Sequence, residues 1–175
     1  MLDGIVECLV ERRKTKKAYL IRFLAFLIDS ILIAASLFIF LYMTAFSAII
    51  FIFAIIGVVL TWLAIRNTNI EYEYSFFEGE FTVDRILNKS NRKCVKKFSF
   101  DKLELIVPKG SHRLGGNPNN NRRKYNYSAL DPELKDYVAV VIDDNASAVE
   151  VIFTPNTELL EILNKKYPRK VTINE

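Results

Sequence analysis

The sequence predicts an α+β membrane protein in which a transmembrane helical hairpin precedes a small β-rich domain that ends in a helix. Two observations carry that prediction. From Phe23 to Ile65 the only formally charged residue is Asp29, and after Arg66 the chain changes abruptly to short alternating runs divided by turn-forming clusters. The whole-chain averages over 175 residues, 51% hydrophobic, 25% charged and a mean hydropathy of +0.15, are those of two unlike parts added together.

A membrane crossing takes about 20 helical residues at 1.5 Å rise each, so this apolar stretch holds two spans, near Leu20 to Tyr42 and Phe46 to Ile65. The turn falls around Met43-Thr44-Ala45. Arg12, Arg13, Lys14, Lys16, Lys17 and Arg22 precede the first span, Arg66 follows the second, and the turn carries no cation. The positive-inside rule then places both ends in the cytoplasm of a cell-membrane protein, with Tyr19 and Trp62 at the inner headgroups and Tyr42 at the outer ones. A cleaved signal peptide is disfavoured, because the apolar run continues into a second full span.

Before the spans, Leu2, Ile5, Val6, Leu9 and Val10 recur at helical spacing, with Asp3, Glu7, Glu11 and Arg12 on the other side. This predicts a short amphipathic helix that either lies on the inner leaflet or packs on the cytoplasmic domain. The chain therefore divides into an amphipathic basic segment (1–17), two spans (18–66) and a cytoplasmic domain (67–175).

Asp29 costs about 2.5–3.5 kcal/mol within a span, so it should face a helix partner, a polar cavity or a neighbouring protomer, with packing on the second span or self-association favoured over a proton or ion relay. Thr61 lies at comparable depth. Ser30 with Ala34, and Ala54 with Gly57, offer small surfaces for close helix approach.

In the domain, Ile70 to Phe76 alternates apolar and polar, Glu78-Gly79 marks a turn, and Glu80 to Leu87 continues as its partner. Arg92 to Phe98 is a third strand, with Cys94 filling the sheet beside Phe98 and Lys96, and Leu103 to Val107 a fourth. The stretch 109–126, with its Gly and Asn, reads as a long loop. Tyr125 to Ser128, Tyr137 to Ile142 and Ala148 to Phe153 complete seven strands, the last two joined by Asp143-Asp144-Asn145-Ala146. Thr154 caps a final helix that begins at Pro155, carries Leu159, Leu160, Ile162 and Leu163 on its apolar side, and stops at Pro168.

Seven strands and a C-terminal helix resemble a pleckstrin-homology (PH)-like domain. The entry Ile70-Glu71-Tyr72-Glu73-Tyr74, the turn Glu78-Gly79-Glu80 with Asp84-Arg85-Ile86, and the ending Ile152-Phe153-Thr154-Pro155-Asn156 resemble an uncharacterised bacterial family of two-span membrane proteins carrying such a domain. That resemblance implies a PH-like seven-stranded β-barrel or sandwich with a C-terminal helix. It brings no catalytic residue to transfer.

Elsewhere the sequence offers little chemistry. His112 is the single histidine and lacks metal-ligating neighbours, Cys8 and Cys94 match no redox or metal spacing, and no phosphate-cradling or dinucleotide motif occurs. The expectation is a non-enzymatic chain without metal or cofactor. A net charge of +4 does not suit a nucleic-acid binder. Arg92, Lys93, Lys96 and Lys97, with Arg122, Arg123 and Lys124, are candidates for contact with anionic headgroups. The alternative is a solvated surface balanced by Glu71, Glu73, Glu78 and Glu80. The functional expectation is a membrane-anchored interaction module that presents its domain at the inner leaflet to protein or lipid. Its partners are the bilayer and a membrane protein or a second copy. The alternative is a small oligomeric transport or channel subunit using Asp29.

Overall fold

The structure, a computed structural model, describes residues 5–42, 44–114, 122–143 and 146–173. They form two compact units. One runs from Lys14 to Asn69; the other joins the segment up to Arg13 to everything from Ile70 on.

The first unit is a pair of helices, α1 (Lys16–Tyr42) and α2 (Thr44–Asn67), each long and apolar enough to cross a membrane. Of the expected turn, Thr44 and Ala45 belong to α2, while Met43 lies outside the described residues, as does the side chain of Tyr42. Shielded positions include Ala18, Arg22, Ala25, Asp29, Leu32, Ser36 and Ile39 on α1, with Ala35 beside Ser36, and Ile50, Ala54, Gly57, Thr61 and Ala64 on α2, with Ile65 and Arg66 following at its end. Steps of four and three alternate along both helices, the spacing of a coiled-coil seam. Ala54 and Gly57 are in that seam as expected. Ser30 and Ala34 are not: both are exposed on the outer side of α1, where the Ser30 hydroxyl bonds back to the Phe26 carbonyl.

In the second unit the described part of the expected N-terminal helix is a strand instead, β1 (Val6–Glu11), while Leu2 and Asp3 lie outside the described residues. Val6, Cys8 and Val10 turn toward the core while Glu7, Leu9 and Glu11 are exposed on the other face. The apolar set at positions 5, 6, 9 and 10 fits a helix, but the β-branched valines and the alternation through Cys8 fit a strand equally well. The open edge of β2 (Ile70–Phe77) decides between them, since β1 pairs with it antiparallel from Val6↔Phe76 to Glu11↔Glu71. The described residues thus form eight strands rather than seven. The helical pair is inserted between two neighbouring strands of one sheet.

That sheet continues as a meander through β3 (Glu80–Leu87) and β4 (Asn91–Ser99), in the order β1-β2-β3-β4. Glu78 and Gly79 both have positive φ, 48° and 84°, as a two-residue hairpin loop requires. The register slips between Val83 and Asp84, so that Val83 faces Lys96 and Asp84 faces Cys94. Val95 is the extra residue of this bulge. The bulge reverses the strand's phase: Phe98 is buried, whereas Cys94 is exposed and does not fill the sheet.

A second sheet has the order β5-β7-β8-β6, built from β5 (Leu103–Pro108), β6 (Arg123–Asn126), β7 (Tyr137–Ile142) and β8 (Ala148–Phe153), with β6 parallel to β8. The Lys109 amide donates to the Asp136 carbonyl at 2.9 Å, so the excursion between β5 and β7 leaves and returns at neighbouring points. Of the loop predicted at 109–126, the structure thus places a short turn at His112–Leu114 and the edge strand β6; residues 115–121 lie outside the described residues. Asp144 and Asn145 of the β7–β8 turn do so too.

The two sheets do not close into a barrel. Between β1 and β8 runs the segment after β6: the Tyr127 amide donates to the Ile152 carbonyl, and the Arg13 amide to the Ala129 carbonyl at 2.7 Å. Tyr74 ties the sheets from inside, donating its hydroxyl to the Tyr127 carbonyl at 2.7 Å and accepting from the Thr154 amide. Burial pushes its phenol well above the usual range. Thr154 does not cap the last helix. Its hydroxyl accepts from the Ala129 amide and donates to Asp136, while Asn156 caps α3 (Thr157–Lys166) by accepting from the Leu159 amide at 2.9 Å.

The core between the sheets is aromatic. Phe81 stacks on Phe98 at 5.1 Å between centroids and meets Phe153 edge-on at 5.3 Å, and Phe100 stacks on Tyr167 at 4.5 Å. α3 adds Leu159, Leu160 and Leu163. Each such side chain contributes about 1.5–3 kcal/mol by leaving water.

Candidate functional site

Three places gather the residues singled out from the sequence. The first is the middle of the helical seam. Asp29 is 9% exposed and Thr61 7%, one on each helix. A Cβ placed on Gly57 would stand 2.6 Å from Asp29 Oδ1 and 3.3 Å from a Leu32 methyl carbon, so the carboxyl group occupies the space that glycine leaves open. Among the described residues no hydrogen bond reaches the Asp29 carboxylate. Sequence reasoning had marked Asp29 and Gly57 separately; only the seam register joins them.

At the foot of the same helices Arg22 forms a clasp that the sequence did not reveal. Its Nε donates to Thr68 Oγ1 at 2.8 Å, and Nη2 reaches Thr68, the Ile65 carbonyl at 3.2 Å and Asn69 Oδ1 at 2.9 Å. A guanidinium on the carbonyl end of α2 answers both the unpaired carbonyls and the negative end of the helix dipole. Arg22 had read as one more flanking cation because its partners are over 40 residues away. Nearby, Arg66 stands over the Trp62 ring at 5.4 Å.

The second place is β4, whose cations are mostly paired. Arg92 bonds the Glu73 carboxylate and lies 3.9 Å from Asp84. Lys97 meets Glu80 at 2.7 Å, a contact that raises its pKa. Lys96 bridges to Asp143 at 3.2 Å and stands 5.2 Å from the Tyr125 ring centre. Lys96 and Lys97, with Lys102, Glu80, Ser99 and Asp143, line a groove of about 310 Å³. Lys93 is exposed at the opposite end of the strand.

The third place is β6. Lys124 pairs with Glu150 at 3.4 Å, Arg123 is exposed and Arg122 half-buried. Six of the seven cations thus belong to two edge strands of different sheets, with Arg122 just before β6, rather than to one patch. Four of them face carboxylates that lower their pull on a distant anion. Of the acids named as their balance, Glu73 and Glu80 take that role.

The thiols differ. Cys8 is buried and accepts from the Asn156 amide at 3.3 Å, and burial pushes its pKa up. Cys94 is exposed, with its pKa raised by partial burial and by Asp84. His112 sits in the short turn after β5.

A two-sheet β domain with a C-terminal helix, interrupted after its first strand by a pair of long apolar helices, defines a class of small α+β proteins with a helical insertion. Residues 2–173 match the family described as Bacterial PH-like domain (DUF6106), and the chain belongs to that family. No curated protein and no solved structure matches it. PH-like domains are typically non-catalytic, and the fold is consistent with an interaction module.

Proposed function

We propose that this chain is a non-enzymatic, membrane-anchored interaction module, a multi-pass protein of the cell membrane whose termini are both cytoplasmic. The observation that supports this best is the pairing of β1 with β2 across the helical insertion. Two strands of one sheet must lie on one side of a membrane, and two spans, an even number, return the chain to that side. The basic flanks make it the cytoplasmic side. The domain would then meet its partner, a membrane protein, a second copy or the lipid headgroups, close to the inner leaflet. Lys93 and Arg123 are exposed cations open to anionic headgroups, with Arg92, Lys96, Lys97 and Lys124 joining if their carboxylates release them and Arg122 beside them.

A second reading, a small oligomeric transport or channel subunit, draws on Asp29, which meets no hydrogen-bond donor among the described residues. In-cell crosslinking of the full-length chain beside Asp29→Ala separates the two. The module reading expects a specific membrane partner captured through the domain in both chains. Self-contacts alone, lost in Asp29→Ala, would contradict it and favour the assembly.

A further inference from the structure

A sheet edge left bare is a template for another strand, and folded proteins guard such edges with bulges, charges or cover. Three of the four edges here are guarded. β5 is covered by the chain after α3, with the Ile106 amide donating to the Lys170 carbonyl and the Thr172 amide to the Ile106 carbonyl. β4 carries the Val95 bulge and a row of cations, and the Tyr127 hydroxyl donates to its Val95 carbonyl at 3.4 Å. β6 has only four residues, two of them basic.

β1 has no bulge and, among the described residues, no cover over Glu7 to Glu11, and its charges are only the carboxylates of Glu7 and Glu11. The Arg12 amide donates to the Ile70 carbonyl, so Val6, Cys8, Val10 and Arg12 turn their backbone groups to β2. Glu7, Leu9 and Glu11 therefore turn theirs outward, as does Arg13, whose amide donates to Ala129 on that side. Among the described residues nothing pairs with the outward groups of Glu7, Leu9 and Glu11. α3 approaches from the core side, through the contact between Cys8 and Asn156. Ile5 and Leu9 are each 60% exposed, and among the described residues neither Glu7 nor Glu11 has an ion-pair partner.

We propose that the β1 edge takes an extended, cationic segment of another membrane protein as a fifth, antiparallel strand. The cross-strand chemistry selects the occupant: Lys or Arg opposite Glu7 and Glu11, and an apolar side chain opposite Leu9. A second copy pairing β1 with β1 about Leu9 would set Glu7 against Glu11, like charge on like. The segments that flank membrane spans on the cytoplasmic side are rich in Lys and Arg. β1 ends at Glu11 and α1 begins at Lys16, so a short linker of chain joins this edge strand to the first apolar helix. Antiparallel addition is the slightly more stable pairing per residue. The inference names the partner of the module proposed above and rests on that reading.

The probe is a synthetic peptide, Ser-Lys-Val-Leu-Val-Lys-Ser, titrated into the full-length chain in nanodiscs of neutral lipid. Binding is expected, at least tenfold weaker when alternate backbone nitrogens of the peptide are methylated and when both lysines are replaced by glutamate. Glu7→Lys with Glu11→Lys should reverse the charge preference. Leu9→Pro, which removes an outward amide at an edge position, should abolish binding while the circular dichroism of the chain is kept. No binding, or binding indifferent to methylation, would overturn the inference. Crosslinking that still captures a partner in Leu9→Pro would show that the module reading survives while the β1 edge does not.

Discussion

A chain in which Arg12 is joined to Ile70 by Asn-Gly, omitting the helical pair, should be soluble and fold cooperatively with the β content of the parent domain. The Arg12 amide and Ile70 carbonyl already form a 2.9 Å rung, and a two-residue loop closes such a rung in the geometry Asn-Gly prefers. The residues removed are the whole of a separate compact unit and Arg13, so the core between the sheets loses no side chain. The same domain begun at Ile70 should fail. It would lack the buried Cys8 and the packing of Val6 and Val10, about 4 kcal/mol or more of apolar burial, against a total stability of about 5–15 kcal/mol. It would also expose the full edge of β2. Urea unfolding followed by tryptophan-independent circular dichroism reads both: a single transition for the closed chain, and aggregation or a transition without cooperativity for the truncated one. Equal behaviour of the two would mean that β1 is dispensable.

The second large effect is expected at Gly57. Its replacement by Ala sets a Cβ at 2.6 Å from the Asp29 carboxylate, and the seam must part or the carboxyl group must turn away. Overpacking of this kind costs about 1–3 kcal/mol. In an Asp29→Ala background the obstruction is gone, and the cost should fall below about 0.5 kcal/mol. This coupling marks residues in contact rather than independent sites. Thermal unfolding of the four chains in one detergent measures it. Costs that simply add would show that Asp29 and Gly57 do not share the seam. Leu in place of Gly57 should be worse than Ala, since it must also displace the Leu32 methyl group.

Much of this architecture could be read from the residues. The apolar stretch around Asp29 admits few structures besides long helices, because unpaired backbone in so apolar a setting is costly. Glu78-Gly79 located the β2–β3 hairpin, since few pairs adopt two successive positive φ angles. β1 was misread for a physical reason: Ile5, Val6, Leu9 and Val10 satisfy both periodicities, and the strand that selects between them lies across the whole helical insertion. The Val95 bulge contains no glycine or proline to announce it, and it sent Cys94 to the wrong face. Thr154 and Asn156 are both good capping residues; Asp136 and Ala129, distant in sequence, claim the first and leave the cap to the second.

The candidate site was less legible than the fold, because its electrostatics are non-local. Arg92 reads as a free cation until β2 brings Glu73 beside it, and Lys96 until the β7–β8 turn brings Asp143. Arg22 reads as a topology signal until α2 ends against it. The unguarded β1 edge was invisible for the same reason that β1 was.

The central claim is that the helical pair is a membrane hairpin inserted within one domain, so that β1 and the rest of the domain share a side of the membrane. Labelling with a membrane-impermeant maleimide tests it most directly, using the native exposed Cys94 and, separately, Leu9→Cys in a Cys94→Ser chain. In inverted vesicles both sites should react, and in right-side-out vesicles neither should. Reaction of one site from each side of the membrane would contradict the account.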